Sequence, residues 1–152
     1  MNVIPIVDQP LRALQIGNDL LKPYLDVSYI NPHTGKSLKT AALIDTGADH
    51  CILPAGYAAI LGHNFAMGYP TQVNGVSGQS NTLYQHTMKI KIDGHDFITD
   101  DVLIAFGQNL HTPIIGVRTF LSNFVLTINY PGKKFSLRLP VEDENLLNWP
   151  MP

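Results

Sequence analysis

The chain has 152 residues, enough for one domain with a real core. Only 14% of residues are charged, the formal net charge is -2, and the largest basic cluster is Lys133-Lys134, so a nucleic-acid face built on charge is excluded. Cys51 is the single cysteine, which rules out an intrachain disulfide and points to a reducing compartment.

The amino terminus, Met1 to Pro10, lacks a basic region followed by an apolar run, so no signal peptide is expected. No apolar stretch reaches the roughly 18 residues of a membrane span. A cytoplasmic protein that contacts neither membrane nor nucleic acid is the expectation. Residues 1–23 form an arm or edge strand: Val3 to Val7 suits a sheet edge, because Pro5 would spoil a central strand, and Leu11 to Ile16 is either another strand or part of the arm. The main domain is expected over 24–139, with a tail at 140–152. Met1 favours an independent product over a piece released from a precursor.

Tyr24 to Ile30 and Leu38 to Ile44 read as strands joined by a hairpin loop at 31–36. That loop contains Thr34-Gly35-Lys36-Ser37, which imitates the end of a phosphate-binding loop. The full pattern needs glycine where Ile30 stands, and a strand follows instead of a helix. The second strand then runs into Asp45-Thr46-Gly47-Ala48-Asp49. A buried strand ending here sets a carboxylate at the edge of a core; Thr46 can hold the turn by hydrogen bonding, and Gly47 allows close backbone packing. Alone, the triplet is also what an ordinary Asx turn looks like.

Further along, Cys51-Ile52-Leu53 is a short strand and Gly56 to Leu61 a helix of one or two turns. Phe65 to Val73 is extended, and Asn74 to Ser80 is a glycine-containing tip. In Thr82 to Ile92, Met88, Ile90 and Ile92 face one way and Lys89 and Lys91 the other. Asp93-Gly94 is a tight turn and Phe97 to Ile104 a strand. Thr112 to Gly116 is a short apolar strand, and Val117 to Asn123 the best helix after it. Phe124 to Tyr130 and Lys134 to Leu139 form a last hairpin. The acidic tail carries Leu146, Leu147 and Trp149, suited to docking or to fraying. This inventory means an all-β fold with one or two short helices, closed or sandwich-like.

Three features now stand in order: Asp45-Thr46-Gly47-Ala48-Asp49, the glycine-containing tip at 74–78, and Ile114-Ile115-Gly116. The combination resembles the retroviral-type aspartic proteases, the retropepsins, over roughly residues 24 to 130, with extensions more like cellular or bacterial members. The resemblance implies a closed barrel with a flap hairpin and a polypeptide substrate. It implies that Asp45 is catalytic within the Asp45-Thr46-Gly47 triplet and that Thr46 braces two active-site loops across a dimer. Ala48, Asp49 and His50 would contact substrate, Asp49 by binding the substrate main chain, with support of the dimer as a second role, and His50 by lining a side-chain pocket. Gly75, Val76, Ser77 and Gly78 would form the flap tip. Ile114 and Ile115 would pack beside the site. Viral enzymes commonly place arginine directly after the late glycine, to pair with the second aspartate; here Val117 stands there and Arg118 follows.

The chemistry implied needs two carboxylates sharing one proton, one as base toward water and one as acid toward the peptide carbonyl. The sequence holds one D-T-G and no second copy, so a homodimer is expected to supply the other. The alternative is a non-catalytic dimeric peptide-binding or assembly module of the same fold. No cofactor and no metal site are expected: the six histidines at 33, 50, 63, 86, 95 and 111 form no ligand pattern. Cys51, in apolar company, reads as a buried small hydrophobe. Asp93, Asp96, Asp100 and Asp101 read as solvated loop charges.

Overall fold

The computed structural model describes residues 4–14, 20–74 and 80–141. They divide into two compact units, 24–122 and the two ends together, 1–23 with 123–152.

In the larger unit, β1 (Tyr24–Ile30) and β2 (Ser37–Ile44) are antiparallel neighbours, paired from Tyr24↔Leu43 to Ile30↔Ser37. Leu25, Val27 and Tyr29 are buried, as the apolar alternation requires. The loop between them is closed by Asn31. Its side-chain oxygen accepts the His33 N–H at 2.9 Å, and its amide nitrogen donates to the Leu61 carbonyl at 2.7 Å. Gly35 takes a positive φ of 74°, which favours glycine. The would-be phosphate loop is thus a hairpin turn.

After β2 come β3 (Ile52–Pro54), the helix α1 (Gly56–Ile60) and a single 3-10 turn at Phe65–Met67. Then follow β4 (Tyr69–Asn74), β5 (Ser80–Ile92), β6 (Val102–Gly107) and the two-residue β7 (Ile114–Ile115). Together they make a seven-stranded sheet in the order β1-β2-β7-β3-β6-β5-β4, with a further pairing of β1 to β5. Met88, Ile90 and Ile92 of β5 are buried, while Lys89 pairs with Asp101 at 2.9 Å and Lys91 donates to the His95 carbonyl. Both lysines therefore sit on the polar face expected of them.

The smaller unit contains β8 (Val125–Asn129), β9 (Lys134–Arg138) and an N-terminal strand β0 (Val7–Pro10), which pair in the order β0-β9-β8. Val7, Leu11, Phe135 and Leu137 are among its buried side chains.

The closed barrel expected from the sequence is corrected by this topology. Among the described residues the fold is mostly β-sheet with one α-helix, and the strands fall into two sheets that keep free edges. β0 and β8 flank the small sheet, and β4 ends the large one, paired among the described residues only along β5. Closure would require every strand to be paired on both sides at a common tilt and stagger. Here β5 gives its first half to β4 and its last four residues to β1, so β4 is left as an edge. The helix expected over 117–123 is also replaced. Thr119 has a positive φ of 69°, and only Leu121–Asn123 forms a 3-10 turn. The strand expected from Phe97 begins at Val102, after a loop in which Thr99 exchanges bonds with Ile90.

Candidate active site

The parallel pairing of β2 with β7 builds the site. Leu43 lies opposite Ile114 and Ile44 opposite Ile115. The pairing continues one residue beyond β2, where the Asp45 N–H donates to the Ile115 carbonyl at 2.9 Å. Asp45 therefore stands directly after buried Ile44, itself half-buried, with its backbone fixed by the neighbouring strand. Its carboxylate accepts the Gly47 N–H at 2.9 Å, and its carbonyl accepts the Ala48 N–H at 3.2 Å. These bonds make the turn expected after the strand. They hold a carboxyl group at the surface of the turn, beside exposed Thr46 and Gly47.

A second layer holds the loop that follows. A Cβ added to Gly116 would lie 2.3 Å from the His50 carbonyl oxygen and 2.7 Å from that of Ala48, so only glycine lets these backbones meet. Next to it, the Val117 N–H donates to Ala48 O at 2.9 Å and the Arg118 N–H to Asp49 O at 2.8 Å. The link between Arg118 and Asp49 is made by main chain, and no ion pair joins their side chains among the described residues.

The structure brings Asp45 to Ala48 into one turn, and places exposed Asp49 and half-buried His50 directly after it. Ile114 is half-buried, and Ile115 is fully buried in the core. The proposed tip residues Gly75, Val76, Ser77 and Gly78 lie outside the described residues; the hairpin that leads to them is defined as far as the pair Asn74↔Ser80.

Sequence reasoning missed two arrangements. Cys51 is buried, as expected, but it also accepts the Gly116 N–H at 3.4 Å. A hydrogen-bonding role at an apolar position leaves no sequence signal. The rings of His63 and His86 pack with centroids 4.5 Å apart, and the nearest main-chain oxygens to their Nε2 atoms are Thr87 O and Phe65 O, at 3.1 and 3.0 Å. Burial holds the His63 imidazole below its ordinary range, against the Thr87 bond, which raises it; His86 and His33 nearby also lower it. Here a signal existed: the inward alternation of Met88, Ile90 and Ile92, carried back one step, reaches His86. Among the described residues no group of three or more His, Cys, Asp or Glu side chains is placed to hold a metal ion, and no helix is long and apolar enough to cross a membrane.

The geometry can be set against known proteins. The profile of the retroviral aspartyl protease family matches residues 7–129. No curated protein matches the sequence. Among solved structures, a retropepsin-like aspartic protease from Rickettsia conorii superposes with a TM-score of 0.62 at 18% identity, covering 86% of this chain and 98% of that one. The EIAV protease, complexed with the inhibitor HBY-793, gives 0.49 at 18% identity over 73% and 93% of the two chains. The Rickettsia likeness shows a shared fold, the profile spans most of the chain including the Asp45 turn and Gly116, and the chain therefore belongs to the retroviral aspartyl protease family.

Proposed function

We propose that the protein is an aspartic endopeptidase active as a homodimer, with Asp45 of each chain supplying one of two catalytic carboxylates. The observation that carries this is the Asp45 turn, in which strand pairing fixes the backbone and the Gly47 amide orients the carboxylate. One carboxylate takes a proton from water, and the water oxygen attacks the peptide carbonyl. The other, protonated, gives its proton to the carbonyl oxygen. The tetrahedral intermediate then collapses as a proton passes to the leaving amine. Two like charges in contact would repel, so the pair holds one proton between them.

In this reading Thr46 braces the turns of the two chains against each other, and Gly47 completes the Asp45-Thr46-Gly47 triplet. Ala48, Asp49 and His50 line the substrate groove with Ile114 and Ile115. The segment Gly75 to Gly78 closes over an extended peptide of roughly six to eight residues. Sedimentation at micromolar concentration, paired with cleavage of a mixed protein substrate with and without an aspartic-protease inhibitor, tests it. A dimer with inhibitor-sensitive cleavage that disappears in Asp45→Asn is expected. A fully active monomer, or unchanged cleavage by Asp45→Asn, overturns it. A folded dimer that binds peptides without cutting them would mark a binding module instead.

A further inference from the structure

We propose that Cys51 is a positioning residue for the Asp45 turn, acting together with Thr119. The proposal rests on the endopeptidase reading for its kinetic consequence, but its geometric content stands apart from it.

The Cys51 side chain is 2% exposed and lies at the point where the Asp45–His50 loop enters β3. Four groups of the Gly116–Thr119 turn converge on its sulfur. The Gly116 N–H donates to Sγ at 3.4 Å, the Thr119 hydroxyl reaches it at 3.7 Å, and the thiol proton has the Arg118 carbonyl at 3.6 Å and the Gly116 carbonyl at 3.9 Å as acceptors. Each such bond is weak. Their convergence is what matters, because this turn also carries the Val117 and Arg118 amides that hold Ala48 O and Asp49 O. Gly116 directly follows Ile115, whose carbonyl fixes the Asp45 N–H. The thiol thus ties both ends of one short circuit: Asp45 to Ile115, Gly116 to Cys51, and Cys51 back along the loop to Asp45.

Thr119 adds an independent indication. A β-branched residue at a φ of 69° is in an unfavourable backbone conformation. A glycine would relieve it but would bring no hydroxyl to the sulfur. Burial pushes the Cys51 thiol up, which keeps it neutral, so that one atom both accepts from an amide and donates to a carbonyl. A side chain that merely filled the space would need neither property.

Valine and threonine at position 51 separate the two accounts, since they share a shape and differ by one hydroxyl. In the full-length dimer, Cys51→Val should lower kcat about tenfold while KM stays within about twofold, because the reacting carboxylate shifts and the substrate groove does not. Cys51→Thr should recover most of that loss. Amide exchange of Gly116 should be about tenfold faster in Cys51→Val than in Cys51→Thr or the unchanged protein. Equal kcat and equal Gly116 exchange in the valine and threonine variants would reduce Cys51 to packing and overturn the proposal. Should Cys51→Val fail to fold, Thr119→Val against Thr119→Ser makes the same comparison from the other side: the valine should slow turnover and speed Gly116 exchange, and equality of the two would refute the brace. If the unchanged protein shows no Asp45-dependent cleavage, the endopeptidase reading falls, and the Gly116 exchange comparison alone decides the brace.

Discussion

Asn31 and Asp45 occupy equivalent places in consecutive strands. Each follows the last residue of its strand, Ile30 in one case and Ile44 in the other, and each accepts the N–H of the residue two positions on at 2.9 Å. Each turn even contains a Thr-Gly pair, Thr34-Gly35 and Thr46-Gly47. They differ in what surrounds the second polar atom. Asn31 is 1% exposed, and its amide nitrogen is committed to the Leu61 carbonyl. Asp45 is half-buried on a turn whose next two residues are exposed. The same local geometry therefore makes a fastening in the interior and a chemical group at the surface. An amide suits the first, because it donates and accepts without charge; a carboxylate suits the second, because it can exchange a proton.

The sharpest way to break the comparison is to exchange the two residue types. Asp45→Asn keeps the acceptor for Gly47 and should leave the melting temperature nearly unchanged while peptide cleavage falls about a thousandfold or more. Cleavage and thermal melting, measured together, would refute the assignment if activity survived. Asn31→Asp should do the reverse. It removes the donor to Leu61 O and sets a carboxylate against a carbonyl in a buried site, at a cost of about 2–4 kcal/mol in denaturant unfolding. A stability within error of the unchanged protein would show that Asn31 is no fastening.

Gly116→Ala tests what stands behind Asp45. Its methyl would press on the His50 and Ala48 carbonyls, and a destabilisation of about 1–3 kcal/mol is expected together with loss of activity. No such methyl clash exists at Gly35, which has open space around it but a positive φ, so Gly35→Ala should cost only the backbone strain, about 1 kcal/mol.

The smallest effect concerns pH on the Asn31 side. Leu61, which Asn31 holds, is followed two residues later by His63, packed on His86. With its folded pKa below the ordinary 6.5, His63 disfavours the charged form in the native state. Its contribution is present in full above that ordinary value and is lost as pH falls from it toward the lower folded value. Unfolding followed from pH 7.5 to pH 5 should therefore show a modest loss of stability that His63→Gln reduces. Exchange at the His33 amide should respond to acid more than exchange at the Gly47 amide. Equal responses would separate the His63–His86 pair from the Asn31 fastening.

The sequence was informative where chemistry is local. Strand-like runs on either side of a turn located β1 and β2, alternation located the inward side of β5, and Asp93-Gly94 marked a turn that has Gly94 at a φ of 73°. The Asp45 turn was legible because a strand ending in Asp-Thr-Gly has few conformations open to it. What was not legible depends on partners distant in the chain. Whether strands close on one another is decided by how β5 divides its length among β4, β6 and β1, which no local pattern encodes. The apolar spacing of 117–123 suited a helix, but the amides of Val117 and Arg118 were drawn to carbonyls of the Asp45 loop, and Thr119 turned left-handed. Propensity lost there to hydrogen bonds set by tertiary contact.

The length of β5 has a mechanical consequence. At 13 residues, or about 40 Å when extended, it behaves as a cantilever. Its root, Lys89–Ile92, is clamped along β1, and its middle, Tyr84–Met88, along β6. Beyond Tyr84 the pairing of Ser80–Leu83 is with β4 alone, itself an edge. A beam held in this way deflects at its free end while its root stays still. Among the described residues Ser80–Leu83 is therefore the part of β5 with the least lateral support, while Met88, Ile90 and Ile92 are buried in the core.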